Sequence, residues 1–188
     1  AFDALNQKLK PDGVTVSALL AKACALALEK TPLVNAKYDK GNIVYNADIN
    51  VAMAVALDGG LITPTLKNAN TLSLTDLSAY WKELVGKAKS KSLKPDEYTT
   101  GTFTISNLGM FDVAQFDAIL PTGQGAILAI GSSKKTVVPI DNAVLGVGVV
   151  KQMTVTITCD HRHIGGADAA KFLSDLKGFI EAPAALTK

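Results

Sequence analysis

The rarest functional side chains of this sequence fall in one short segment, Asp160-His161-Arg162-His163. His161 and His163 are the only histidines, and Arg162 is the single arginine among 19 basic residues. A neutral imidazole can accept a proton near neutral pH, and a guanidinium forms bidentate pairs that lysine does not reproduce. These residue types indicate general-base chemistry, with a capped turn carrying solvated imidazoles as the structural alternative.

The position of His161 along the chain favours the catalytic interpretation. Residues 154–159 alternate hydroxyl and apolar side chains, which predicts a β-strand. Gly165 and Gly166 follow the histidines and precede a helical pattern. A histidine between a strand and a glycine-rich turn lies on a loop with a rigid support, where catalytic groups are commonly held.

A second candidate lies at the end of another predicted strand, where Ser106 and Asn107 precede Gly109. Ser106 lacks the Gly-x-Ser-x-Gly elbow of hydrolases, which disfavours a nucleophilic serine. A hydroxyl or amide at this position could instead donate a hydrogen bond to a developing oxyanion. A Ser-Asn pair that only forms a local turn is the alternative, and these residues alone leave it open.

Other chemical groups give weaker signals. Cys159 and His161 would share a face if the strand continued, but a small buried thiol is the more common role. The glycines at 125–131 lack the order of a phosphate-binding loop, and no residue spacing indicates a metal site. The lysines at 82–94 form a basic patch that is typical of a solvated surface, with an RNA site as the alternative.

Length and composition indicate one globular domain. Of 188 residues, 48% are hydrophobic and 19% are charged, which allows a sizeable core. The net charge of +2 is too small to indicate a polyanionic partner, and two cysteines fit a reducing compartment better than a disulfide framework. We find no apolar run of the roughly 18 residues that a membrane span requires and no targeting signal in the first residues.

Helical and strand patterns follow one another along the chain. The expected helices span 2–9, from a cap at Thr15 or Ser17 to before Pro32, 74–91 and 167–181, and the expected β-rich segments span 43–57, 61–66, 101–106, 126–131, 144–150 and 154–159. A hairpin turn is expected at 58–60, and the second helix is apolar on most of its surface, which predicts burial. These elements predict an α/β fold, a two-layer sandwich with a mixed sheet.

Five segments of the chain resemble the dihydrolipoamide acyltransferases of 2-oxo acid dehydrogenase complexes. DHRHIGGADAAKFL is similar to the family's DHRxxDG signature and its following helix. GTFTISNLGMF resembles a second signature, in the form typical of acetyl-transferring, pyruvate-type members. The segments in family order between and around them are VTVSALLAKACALALEKTPLVNA, INVAMAVALDGGLITPTLKNA and PTGQGAILAIG. The resemblance covers almost the whole chain.

The resemblance implies roles for individual residues. His161 would be the general base and Ser106 the oxyanion donor, while Asp160 and Arg162 would hold the turn. His161 and Ser106 would meet across a trimer interface, on different chains. The remaining motif positions are Asn107, Gly165 and Gly166.

The resemblance also implies a fold like chloramphenicol acetyltransferase and acetyl transfer between a dihydrolipoyl thiol and coenzyme A, without a metal. The lipoyl group would be carried on a separate domain. Trimers would build a cubic or dodecahedral core, with the dodecahedron favoured for a pyruvate-type member, and apolar residues near the C-terminus, 179–186, would dock on a neighbouring trimer. Partners would be the decarboxylase and dihydrolipoamide dehydrogenase components of the complex, with no membrane or nucleic-acid partner.

Residues 1–188 are expected to form the core-forming catalytic domain without the family's first helix and strand. Lipoyl and peripheral-subunit-binding domains are not expected within this sequence.

Gly165 departs from the family signature, which has Asp or sometimes Asn at this position. Plastid members of the family are also non-acidic there, so the resemblance suggests the plastid stroma, with the mitochondrial matrix or a bacterial cytoplasm as alternatives. Glycine offers no side chain to hold the His161 ring, so we expect a backbone carbonyl to accept from it. A catalytically weakened scaffold or an RNA-binding core protein is the alternative function.

Overall fold

A computed structural model of the protein describes residues 1–140 and 146–187. The α-helices in these ranges are α1 Phe2–Leu9, α2 Val16–Lys30, α3 Leu74–Lys89 and α4 Gly166–Glu181. The strands are β1 Lys37–Asp39, β2 Asn42–Val44, β3 Val51–Met53, β4 Val55–Leu57, β5 Gly60–Ile62, β6 Thr65–Leu66, β7 Phe103–Asn107, β8 Ala126–Ile130, β9 Lys134–Pro139, β10 Val147–Gln152 and β11 Val155–Cys159. Within the described ranges, every helix falls short of the length and apolar character that a bilayer crossing requires.

The central sheet has five strands in the order β11-β8-β7-β3-β6. Its three inner strands, β8, β7 and β3, run parallel to one another. The outer strands β11 and β6 each run antiparallel to their neighbours. Three separate antiparallel pairs, β1–β2, β4–β5 and β9–β10, surround this sheet. The predicted mixed sheet is therefore confirmed.

Helix α2 lies at the centre of the helical layer, in contact with both α3 and α4. It begins where the sequence predicts, because the Thr15 hydroxyl accepts a hydrogen bond of 3.2 Å from the Ala18 N–H. It ends before Pro32, which opens a short 3-10 helix. Ten of its 15 residues are buried, and its apolar side chains pack in the same core as the central strands, so the predicted buried helix is confirmed.

The predicted continuous β-rich segment 43–57 is divided into three short strands. Polar side chains cause the first break, because they bond to backbone groups outside the sheet. The Asn46 amide donates to the Asn35 carbonyl at 2.5 Å, and the Asn35 amide donates to the Asp48 carbonyl at 3.0 Å. The Asn50 amide donates to the Thr100 carbonyl at 3.1 Å. The predicted turn at 58–60 does close the β4–β5 hairpin.

Strand β9 was not expected from the sequence. It begins with two lysines, ends at Pro139 and is mostly exposed, so it lacks the alternation that marks a half-buried strand. It pairs with β10 along its whole length. The expected strand 144–150 begins outside the described residues, and its described part belongs to β10.

The apolar C-terminal residues pack within their own chain. Leu186 is buried in the core, and Phe179 and Ile180 lie against it. The predicted docking role in a neighbouring trimer is therefore wrong for Leu186.

Two aromatic rings join α4 to the central sheet. Phe172 of α4 and Phe103 of β7 are fully buried, with ring centroids 5.4 Å apart and planes tilted by 52°. Tilted aromatic pairs at this separation add to the free energy gained by burial. This contact connects the helix that follows the histidines with the strand that carries Ser106.

We expect Phe172→Ala to lower the free energy of unfolding by about 3–5 kcal/mol, since it leaves a cavity between α4 and β7. Phe172→Leu keeps most of the volume and should lower it less. Denaturant unfolding at one fixed protein concentration measures both. If Phe172→Ala lowers the free energy of unfolding by less than about 1 kcal/mol, the Phe172–Phe103 contact is not central to stability.

Candidate active site

The turn that carries His161 is fixed to the sheet by backbone hydrogen bonds. Strand β11 ends at Cys159, and the Asp160 N–H extends its ladder by donating to the Gly125 carbonyl at 2.8 Å. The Asp160 carbonyl then accepts from the N–H groups of His163 at 3.2 Å and Ile164 at 3.0 Å. Ile164 is buried in the core. His161 thus lies on a closed turn with an anchor on either side.

Asp160 and Arg162 form a bidentate ion pair across this turn. The Arg162 Nε donates to Asp160 Oδ1 at 2.8 Å, and its Nη2 donates to Oδ2 at 2.6 Å. The hydrogen bond from Arg162 lowers the pKa of Asp160 to about 2, with a further contribution from the Arg162 backbone N–H. Asp160 is therefore an ionised structural partner of Arg162 at neutral pH.

The His161 ring is exposed and makes no hydrogen bond within the described residues. The expected contact with a backbone carbonyl is instead made by His163, whose Nε2 lies 3.2 Å from the Ala36 carbonyl oxygen. A carbonyl only accepts, so His163 carries its proton on Nε2. The prediction of a carbonyl partner for His161 is therefore wrong within residues 1–140 and 146–187.

Tyr38 and Gly125 also contact the turn, and neither stands out in the sequence. The Arg162 guanidinium carbon lies 4.3 Å from the Tyr38 ring centroid. The Tyr38 and His163 rings stack with centroids 6.5 Å apart and planes at 22°. Tyr38 is more than 120 positions from this turn, so no local pattern could have indicated the contact.

Ser106 and Asn107 end strand β7 and have different local roles. Asn107 Oδ1 accepts a hydrogen bond of 2.8 Å from the Gly109 N–H, which makes it a turn-forming residue. The Ser106 hydroxyl has no such partner among the described residues. It faces a cavity of about 770 Å³. The cavity lining includes Leu20, Met53, Trp81, Val85 and Phe111.

His161 and Ser106 lie toward opposite ends of the sheet. Ser106 is level with Ala129 of the neighbouring strand, whereas Asp160 is level with Gly125. Four residues along a strand correspond to about 13 Å, which exceeds the reach of a hydrogen bond. The structure therefore does not bring the two predicted residues together within one chain.

The cysteines do not provide a nucleophile at neutral pH. Burial raises the pKa of Cys159 to about 11, and it raises the pKa of fully buried Cys24 even further. Both remain protonated thiols, which are poor nucleophiles. In the described part of the chain, no three metal-ligating acidic, cysteine or histidine side chains gather in one place.

Two lysines of the predicted basic patch have partners within the chain. The Lys82 ammonium donates to the Gly13 carbonyl at 2.7 Å. Lys87 pairs with Glu83 at 2.7 Å and with Glu97 at 2.6 Å. The two carboxylates beside Lys87 partly neutralise the patch, which weakens it as a surface for a polyanion.

Comparison with known proteins agrees with the motifs and the fold. An Arabidopsis thaliana relative, the chloroplastic "Dihydrolipoyllysine-residue acetyltransferase component 5 of pyruvate dehydrogenase complex", is 57% identical over 188 residues, which are 100% of this chain and 40% of the relative. The cubic core of the pyruvate dehydrogenase multienzyme complex superposes with a TM-score of 0.88 at 31% identity, covering 97% of this chain and 76% of that one.

Chloramphenicol acetyltransferase superposes with a TM-score of 0.58 at 17% identity, covering 93% of this chain and 82% of that one, so the predicted fold class is confirmed. The model of the family "2-oxoacid dehydrogenases acyltransferase (catalytic domain)" matches residues 2–187. The chain belongs to this family of acyltransferase catalytic domains.

Proposed function

We propose that this chain transfers an acetyl group between a dihydrolipoyl thiol and coenzyme A, with His161 as general base and Ser106 as oxyanion donor. The observation that carries the proposal is the turn 160–166, which matches the family signature except at Gly165 and presents an exposed imidazole on a rigid support. The chain spans 40% of the length of its Arabidopsis relative, so the activity and partners of the whole protein belong to the same proposal.

The chemistry requires a proton acceptor and a hydrogen-bond donor. A thiol with a pKa near 8.5 is mostly protonated at neutral pH, so the His161 ring takes the S–H proton as the sulfur attacks the thioester carbonyl carbon. The carbonyl electron pair moves to oxygen, and the Ser106 hydroxyl donates to that oxyanion. When the intermediate collapses, the carbon–sulfur bond to the other thiolate breaks, and that sulfur takes the proton from His161.

The separation of His161 from Ser106 supports a site shared by two chains. Each residue is accessible in its own chain, His161 on an exposed turn and Ser106 in an open cavity. A second copy could bring its Ser106 to the first copy's His161. The site is then completed only by association.

Exposed apolar side chains support such an association. Met110 is 86% exposed and Ile119 is 92% exposed, both in the segment that follows Ser106. Val137 and Val149, on the β9–β10 hairpin, are 66% and 64% exposed. Apolar surface of this kind marks interaction sites. Trimers that build a larger core would bury it, with the decarboxylase and dihydrolipoamide dehydrogenase components as outer partners.

The proposed location is the plastid stroma. It is supported by the chloroplastic relative and by the glycine at position 165. The solved pyruvate-type relative has a cubic core, so the pyruvate type gives no reason to prefer a dodecahedron. No specific contact favours the RNA-binding alternative, because Lys82 and Lys87 are engaged within the chain.

We expect His161→Ala and Ser106→Ala each to lose about 10²-fold or more in acetyl transfer between free dihydrolipoamide and acetyl-coenzyme A. Co-assembled at equal amounts, the two variants should recover about a quarter of wild-type turnover, because one interface in four combines an intact His161 with an intact Ser106. Turnover equal to the average of the two separate variants would exclude the shared site, and near-normal turnover of His161→Ala would exclude the base.

We expect Gly165→Asp to change turnover by less than about tenfold, or roughly 1.4 kcal/mol of barrier. Gly165 is the residue before α4, its φ of −77° suits any side chain, and the Asp168 carboxylate already accepts from its N–H at 3.1 Å. A carboxylate at this position would cap the helix and leave the base unchanged. An inert wild type that Gly165→Asp converts to an active enzyme would contradict this and favour the scaffold alternative.

We expect light scattering to give a particle on the order of a megadalton, built from 19.6-kDa chains in closed symmetry. Val137→Lys should reduce the particle size, because it places a charge on the apolar hairpin. Ala170→Lys, on the exposed face of α4, is the matched control and should leave the size unchanged. Monomers of the wild type at micromolar concentration would contradict the assembly.

A further inference from the structure

We propose that Tyr38 is a positioning residue for His161, acting through the two residues that follow it. This inference rests on the proposed function, because it assigns to Tyr38 the orientation of the proposed base. Tyr38 lies in β1, far from α4 and β11 in the sequence, and its ring contacts both Arg162 and His163.

His161 needs indirect support, because its ring has no hydrogen-bond partner within the described residues. Its orientation therefore depends on the backbone of the turn. Asp160 fixes the start of that turn through its N–H bond to Gly125. The part after His161 is fixed by the side chains of Arg162 and His163, and both of these reach residues 36–38.

The Arg162 guanidinium is held in two directions at once. Its Nε and Nη2 donate to the Asp160 carboxylate, and its central carbon lies over the Tyr38 ring, 4.3 Å from the ring centroid. A planar cation over an aromatic face is an attractive arrangement. The Arg162 side chain is 63% exposed. If the Asp160 carboxylate were its one contact, the paired carboxylate and guanidinium could still move together. The ring supplies a second fixed surface.

His163 provides the second contact between the turn and residues 36–38. Its ring stacks on Tyr38 at 22°, and its Nε2 donates to the Ala36 carbonyl, two residues before Tyr38. A Cβ on Gly125 would overlap that carbonyl, so the start of β8 lies directly against the same backbone. Residues 36–38 therefore lie along one side of the turn, and His161 immediately precedes the two residues that contact them.

The ring of Tyr38 carries this role, and its hydroxyl does not contribute. The hydroxyl makes no hydrogen bond within the described residues, whereas the ring makes both contacts. Tyr38 is held in place by the β1–β2 hairpin, where it pairs with Ile43. Phenylalanine at position 38 should therefore preserve the positioning role, whereas an aliphatic residue should not.

In the full-length, assembled protein we expect Tyr38→Leu to lower kcat for acetyl transfer about tenfold, while KM for acetyl-coenzyme A and dihydrolipoamide stays within about twofold. A misplaced base slows the chemical step without weakening substrate binding. Tyr38→Phe should stay within about twofold of wild type in kcat. Tyr45→Leu, which removes an exposed tyrosine just after β2, is the matched control.

Two further measurements separate positioning from general stability. Hydrogen exchange should accelerate at the His163 and Ile164 amides in Tyr38→Leu and remain unchanged in α2. In a double-mutant cycle, the fold loss in kcat of the double variant Arg162→Lys/Tyr38→Leu should be smaller than the product of the two single-variant losses, because both substitutions remove the same contact. Tyr38→Met serves in place of the leucine variant if that variant fails to assemble.

The outcomes distinguish this inference from the proposed function. Unchanged kcat in Tyr38→Leu, or a raised KM with unchanged kcat, would overturn the positioning role. A Tyr38→Phe variant as slow as Tyr38→Leu would also overturn it. The proposed function fails separately, if His161→Ala retains its turnover.

Discussion

The hydrogen-bonded pairing of β11 with β8 and of β8 with β7 determines how far apart His161 and Ser106 lie within a single chain. Parallel strands bring their carboxyl ends to one edge of a sheet, where many α/β proteins build a site. Here β11 is antiparallel to its neighbour, so the turn that follows it emerges toward the opposite edge. The two signature motifs are thereby placed apart, with Ser106 at one edge and His161 near the other.

This separation is consistent with the exposed apolar surfaces of the chain, whose contact with water would be unfavourable in a monomer. The cavity beside Ser106 is open and largely apolar, and the segment after it exposes Met110 and Phe111. The β9–β10 hairpin exposes valines and packs little against the remainder of the chain. Burial of such surface stabilises an association by roughly 25 cal/mol per Å² of apolar area. If two chains share the site as proposed, association completes it, and loss of association would abolish activity.

The sequence predicted those elements whose pattern is local and strong. Helix α2 has a capping threonine and a following proline, and β11 has strict alternation, so both were found close to their true bounds. Strand β9 was missed because its side chains are mostly exposed, which removes the alternation that predicts a half-buried strand. His161 and Ser106 were candidates from residue type and position, and the resemblance supplied their expected roles, but the distance between them depends on strand order, which no short pattern encodes. The contacts of Tyr38 and Gly125 with the turn were missed for the same reason.

The turn itself shows how a local motif depends on distant residues. The Asp160 carboxylate is fully engaged by Arg162, which keeps its pKa near 2, so this anion is not free to orient the His161 ring. Gly165 offers no side chain, and the nearest carbonyl contact belongs to His163. Among the described residues, His161 is therefore oriented only through the backbone of its neighbours. That backbone is fixed by Gly125 on one side and by the contacts of Arg162 and His163 with residues 36–38 on the other. A seven-residue signature thus acquires its geometry from a strand and a hairpin that come before it in the chain.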